Sequence, residues 1–100
     1  MIITKEEFNE MLASDKRPII IDVCESYEHE AKNISGSINI PVGILPLVFE
    51  ERLPGIAKDS VIVVYCAHGV RSGFAQKALQ SKGYSNVYSL DGGITKYLGR

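Results

Sequence analysis

Residues 65–72, Tyr65-Cys66-Ala67-His68-Gly69-Val70-Arg71-Ser72, gather a thiol, an imidazole, a glycine, a guanidinium and a hydroxyl into one short stretch. A cysteine placed between the end of a strand and the start of a helix meets unpaired N–H groups and the positive end of the helix dipole. Such surroundings hold a thiol below its ordinary pKa of about 8.5, and the thiolate is the nucleophilic form. Gly69 lets the backbone turn back over the sulfur, because glycine adopts positive φ. Successive loop amides, from Ala67 to Ser72, then form a concave nest for an anionic atom. Arg71 contributes a permanent cation with a planar set of donors. A cation at a helix N-terminus opposes the dipole, so an anionic partner is expected for it. His68 is either a donor to substrate or a solvated loop residue. The plain alternative for Cys66 is an inert, buried cysteine at a strand end. That reading leaves the adjoining glycine, arginine and helix start unexplained.

The flanking patterns place this stretch. Val61–Tyr65 is apolar and rich in β-branched residues, as is Ile19–Val23, and both read as strands buried on two faces, as in a parallel sheet. After the loop, Phe74, Ala75, Ala78 and Leu79 share one helical face, with Gln76, Lys77 and Gln80 opposite. Gly83 follows as a C-terminal cap. Met1–Ile3, Ser37–Ile40 and Asn86–Leu90 complete five expected strands. Thr4 and Glu7 form a capping box for a helix ending near Ser14. Ser26–Ala31 is a short helix with Ser26 as its cap, and Pro46 opens another that runs to Leu53. A short terminal helix spans Ile94 to Leu98. Strands separated by helices predict an α/β three-layer sandwich, with a mainly parallel five-stranded central sheet and helices on both faces. Sites in such sheets gather beyond the carboxyl ends of the strands. The turns beginning at Cys24, Cys66 and Asp91 meet there.

The whole chain is read as one domain, residues 1–100, because 100 residues suffice for one compact core and not for two. Its composition, 45% apolar and 23% charged, is ordinary for a globular protein. A net charge of −1 provides no global field for nucleic acid or anionic lipid. No segment approaches the ~20 apolar residues that span a bilayer, and the acidic first residues do not resemble a secretory signal. A cytoplasmic location is therefore expected, with no membrane and no nucleic-acid partner. The two cysteines, Cys24 and Cys66, have no metal-ligand spacing. In a reducing compartment they are reactive or buried rather than a structural disulfide.

Three blocks resemble the rhodanese homology domain, from the first strand to the last helix: Ile20-Ile21-Asp22-Val23 with Glu25; Ile34-Ser35-Gly36-Ser37-Ile38-Asn39-Ile40-Pro41; and Cys66 to Ser72, followed by its helix and Leu90-Asp91-Gly92-Gly93-Ile94. Their order and spacing make the match specific. The resemblance implies the rhodanese fold and a sulfurtransferase. Cys66 would take sulfur from a small donor such as thiosulfate, a polysulfide or a persulfide, and yield it to cyanide, a thiol or a protein acceptor. The amides of Ala67, His68, Gly69, Val70 and Ser72 would stabilise the persulfide, and Arg71 would orient the donor. Ser72 would cap the helix or bond the loop. No metal and no cofactor is called for.

The chain departs from the family pattern at several points. Cys24 stands where arginine is usual; it either fills the strand end as a small apolar residue or reaches Cys66 and resolves its persulfide into a disulfide. Asp22 is expected to accept loop amides. Tyr97 stands where tryptophan is frequent and is expected to pack the last helix. Asn33 replaces a frequent histidine. Glu25, Tyr27, Glu28 and His29 read as a solvated helix face, and Val42–Phe49 as core or pocket mouth. Dual-specificity phosphatases of related fold carry one more residue between cysteine and arginine than the Ala67-His68-Gly69-Val70 present here, and this tighter loop disfavours phosphate-ester chemistry. Non-catalytic binding modules of the family often lose the loop cysteine, which this chain keeps.

Overall fold

The computed structural model describes residues 1–99. Five strands, β1 (Ile2–Ile3), β2 (Ile19–Asp22), β3 (Ile38–Asn39), β4 (Val61–Tyr65) and β5 (Asn86–Leu90), alternate with α1 (Lys5–Ala13), α2 (Ser26–Ala31), α3 (Leu45–Arg52), α4 (Val70–Ser81) and α5 (Gly93–Tyr97). The strands form one sheet in the order β1-β5-β4-β2-β3. The sheet expected to be mainly parallel is parallel in every pairing among the described residues. The two richest apolar runs, β2 and β4, are neighbours inside it, in the register Ile19↔Ile62 to Asp22↔Tyr65. A strand there is covered on both faces, which is why neither run alternates with polar residues.

Side-chain alternation sends successive residues to opposite cores. Ile21, Ile62 and Val64 pack with Phe49 of α3 and Leu79 of α4, where Phe49 meets Tyr84 edge-on with ring centres 5.0 Å apart. Ile20, Val63 and Leu90 pack with Phe8 of α1 and Ile94 of α5. Tyr97 joins that side edge-on to Phe8 at 5.6 Å and donates its hydroxyl to Asn9 Oδ1, so it packs the last helix as expected. Each such aliphatic or aromatic side chain contributes about 1.5–3 kcal/mol when fully buried.

Local signals hold at α1, where the Glu7 N–H donates to Thr4 Oγ1 and Glu7 Oε1 accepts the Thr4 N–H, at 3.1 and 2.9 Å. Local readings need correction on three helices; on α4, Phe74 is 65% exposed and Gln76 is buried, the reverse of the faces expected for them. The N-cap of α2 is Glu25, not Ser26, and its N–H donates to Glu28 Oε1 at 2.9 Å. Pro46 is inside the first turn of α3, which starts one residue earlier at Leu45. Of the two readings of Val42–Phe49, packing holds for Leu45 and Phe49, four residues apart on α3 and fully buried in the core, with Val42 and Val48 packed against them.

Because the strands run the same way, the ends of β2, β4 and β5 reach one edge of the sheet. Val23, just past β2, still donates its N–H to Tyr65 O at 2.8 Å, and Ile40 donates to Asp22 O at 2.9 Å. The Tyr65 hydroxyl accepts the Ile34 N–H at 3.0 Å and bonds Ser37 Oγ at 2.9 Å, fastening the 34–37 turn beneath the end of β4.

Candidate active site

The loop after β4 closes around a sulfur atom. Gly69, the N-cap of α4, has φ 105°, a conformation that side chains disfavour. This turn aims the Gly69 N–H at Cys66 Sγ, 3.0 Å away, and the Ser72 N–H approaches the same sulfur at 3.4 Å. The Ser72 hydroxyl is 3.6 Å from Sγ, donates to Gly69 O at 3.1 Å and bonds Ser89 Oγ at 2.7 Å. Cys66 is only 1% exposed, and its other side rests on the α3–α4 core. Burial pushes the thiol up. The Ser72 N–H and hydroxyl, with the N–H groups of Gly69 and His68, outweigh it and leave Cys66 below the ordinary thiol value.

A second group forms at the end of β2. Asp22 is buried, as its expected structural role requires: Oδ1 accepts the Cys24 N–H at 2.9 Å and Oδ2 faces His29 Nδ1 at 2.8 Å. Asn39 Nδ2 donates to the carbonyls of Asp22 and Cys24, at 3.0 and 2.9 Å, and secures the turn. Cys24 is buried and free, as is Cys66, with no disulfide between them. Burial, helped by the charge of Asp22, pushes the Cys24 thiol up to about 12. The two thiols therefore lie on opposite sides of the ordinary value.

Glu25 and Tyr27 are solvated as expected, but Glu28 and His29 are not. His29 turns in to Asp22, and Glu28 takes both terminal nitrogens of Arg71, at 2.7 and 3.0 Å. The guanidinium at the start of α4 thus finds its anion within the chain, through a bidentate pair of the geometrically specific kind. Asn33 Nδ2 donates back to His29 O at 2.8 Å, at the end of α2.

A cavity of about 300 Å³ opens beside the loop, lined in part by Cys24, Tyr27, Lys32, Ala67, His68 and Thr95. Its far wall is the turn after β5: the Ile94 N–H donates to Cys66 O at 2.9 Å and the Thr95 N–H to Ala67 O at 3.1 Å. Val70 is 70% exposed, so its side chain faces solvent rather than the sulfur. The sequence reading brought Cys66, Gly69, Ser72 and Arg71 to one place and missed Glu28, His29, Asn39 and Ser89. Ser89 had a signal, being a hydroxyl on the same face of β5 as buried Val87. Among the described residues no three metal-ligating side chains converge.

Comparison with known proteins agrees with this geometry. The model of the rhodanese-like domain matches residues 4–100. Protein YqhL of Bacillus subtilis is 36% identical, over 98% of this chain and 72% of its own length. The tRNA uridine(34) hydroxylase of Sodalis glossinidius is 35% identical over 95% of this chain, which spans only 27% of that protein. Among solved structures, the human single-domain sulfurtransferase TSTD1 superposes with a TM-score of 0.85 at 25% identity, covering 99% of this chain and 96% of its own. A rhodanese-related protein of Thermoplasma volcanium gives 0.81 at 29% identity, covering 97% and 89%. With its fold, its loop and these relatives in agreement, the chain belongs to the rhodanese-like domain family.

Proposed function

We propose that the protein is a sulfurtransferase that carries sulfane sulfur on Cys66. The observation behind this reading is the thiol held below its ordinary pKa by converging donors, at 3.0 Å from Gly69 and 3.4 Å from Ser72. With thiosulfate as donor, the Cys66 thiolate attacks the outer sulfur. The donor S–S bond breaks, sulfite leaves with the bonding pair, and Cys66 becomes a persulfide. A nucleophile such as cyanide then attacks the terminal sulfur, departs as thiocyanate and restores the thiolate. Loop N–H groups already aimed at Sγ stabilise the negative sulfur without reorganisation. Ser72 and Gly69 are the principal donors; Ala67 and His68 form the floor of the adjoining cavity, and Asp22 and Cys24 hold the neighbouring turn. The small soluble-type composition and the lack, among the described residues, of a helix able to cross a membrane support a cytoplasmic setting.

A protein acceptor is the second reading. It is favoured by Val70 and Phe74, which are 70% and 65% exposed and one helical turn apart on α4, directly after the loop. Intact-mass analysis with and without thiosulfate tests the main reading. A cyanide-labile gain of one sulfur, ~32 Da, on Cys66 and absent from Cys66→Ser is the expected covalent intermediate. Robust hydrolysis of p-nitrophenyl phosphate that Cys66→Ala abolishes, with no sulfur adduct, would overturn it.

A further inference from the structure

We infer that Glu28 sets the class of sulfur donor: by holding Arg71, it turns the site from dianionic thiosulfate toward organic persulfides, R–S–SH. This rests on the sulfurtransferase reading and specifies its substrate. Both terminal nitrogens of Arg71 are committed to the two oxygens of Glu28. Glu28 is itself fixed by a third donor, the Glu25 N–H, at 2.9 Å. A carboxylate tied on three sides is part of the frame of α2, and the arginine it neutralises has little attraction left for a distant anion.

The cavity beside the loop agrees with this charge arrangement. Asp22 and Glu28 are the carboxylates in its lining, and Lys32 is a lining cation that stands in no ion pair among the described residues. One ammonium suits a donor that carries at most a single negative charge, as a persulfide does, better than a dianion. Tyr27, Ala31 and Ile94 give the same cavity apolar surface, which an organic R group covers and thiosulfate does not. Its volume of about 300 Å³ leaves room for such a group. In the transfer, the Cys66 thiolate attacks the outer sulfur of R–S–SH. The donor S–S bond breaks, R–S⁻ leaves with the electron pair, and Cys66–S–SH forms with the transferred sulfur keeping its proton.

Rapid-quench mass spectrometry of sulfur loading on Cys66, with thiosulfate and with the persulfide of 2-mercaptoethanol, tests the assignment in wild type, Glu28→Gln and Glu28→Asp. Wild type is expected to load faster from the persulfide, per unit donor concentration. Glu28→Gln frees the guanidinium and shifts the thiosulfate-to-persulfide rate ratio toward thiosulfate on the order of tenfold, whereas Glu28→Asp keeps the charge and moves it by less than about twofold. A ratio unchanged in Glu28→Gln, or a wild-type preference for thiosulfate, overturns the assignment while leaving the sulfurtransferase reading intact. The wild-type preference decides the matter by itself where a variant fails to fold. Loading from neither donor removes both readings.

Discussion

Gly93 presses against the backbone of Cys66: a β-carbon at Gly93 would come within 2.4 Å of the Cys66 carbonyl oxygen and 2.5 Å of the Ala67 carbonyl carbon. Its φ of +66° is in the left-handed region. The next two residues donate their N–H groups to the carbonyls of Cys66 and Ala67. The turn after β5 is therefore a buttress for the loop after β4, and it works because no side chain intervenes.

Gly93→Ala is accordingly expected to cost about 2–4 kcal/mol, from strain at positive φ together with the clash against fixed backbone. Urea denaturation measures the loss. The displaced loop should also slow alkylation of Cys66 at neutral pH, which a merely global destabilisation of a still-folded protein would not do.

The two cysteines should separate by pH. Cys66, held below the ordinary thiol value, is expected to react with iodoacetamide with an inflection below the ~8.5 of a free cysteine. Cys24, pushed up to about 12, should stay unmodified in the folded protein through neutral and mildly alkaline pH. Peptide mapping after timed alkylation reads both. The same contrast predicts that polysulfide at pH 7 loads Cys66 without forming a Cys24–Cys66 disulfide. A prompt disulfide there would show Cys24 to be a resolving thiol.

Ser72→Ala removes a hydroxyl 3.6 Å from Cys66 Sγ and strands the buried hydroxyl of Ser89, its partner at 2.7 Å. The expected results are an upward shift of the Cys66 alkylation inflection and a stability loss of about 1–2 kcal/mol from the unpaired polar group. The double variant Ser72→Ala/Ser89→Ala should recover part of the stability and none of the inflection. Recovery of both would place the effect in packing rather than in the hydroxyl's contact with sulfur.

Acid should release the Arg71–Glu28 clamp. The Arg71 guanidinium, with the Glu25 N–H, lowers Glu28 to about 2, against about 4.3 for a free glutamate. A folded-state pKa below the unfolded one contributes stability above the unfolded value, lost as pH falls from there through the folded value. The contribution is thus complete above about pH 5 and declines toward pH 2. Both side chains are part-exposed, at 33% and 27%, so solvent screening holds it to about 1 kcal/mol. Glu28→Gln should lose that amount at pH 7 and little of it near pH 2, by denaturation at each pH. Equal losses at both would assign the effect to packing of α2.

What the sequence determined by itself was local: the doubly buried strands β2 and β4, the Thr4–Glu7 box, and a cysteine set between a strand end and a glycine-started helix. Each is a short-range consequence of side-chain periodicity or of unpaired N–H groups at a helix start, so neighbouring residues suffice to reveal it. Only the tertiary structure decided that Glu28 meets Arg71, 43 residues away, that Ser89 backs Ser72, and that His29 turns in to Asp22. A charged face on a six-residue helix has the same pattern whether it meets water or another element. How α2 docks against the start of α4 turns that face into a clamp, because charge pairing depends on distances that sequence spacing does not contain.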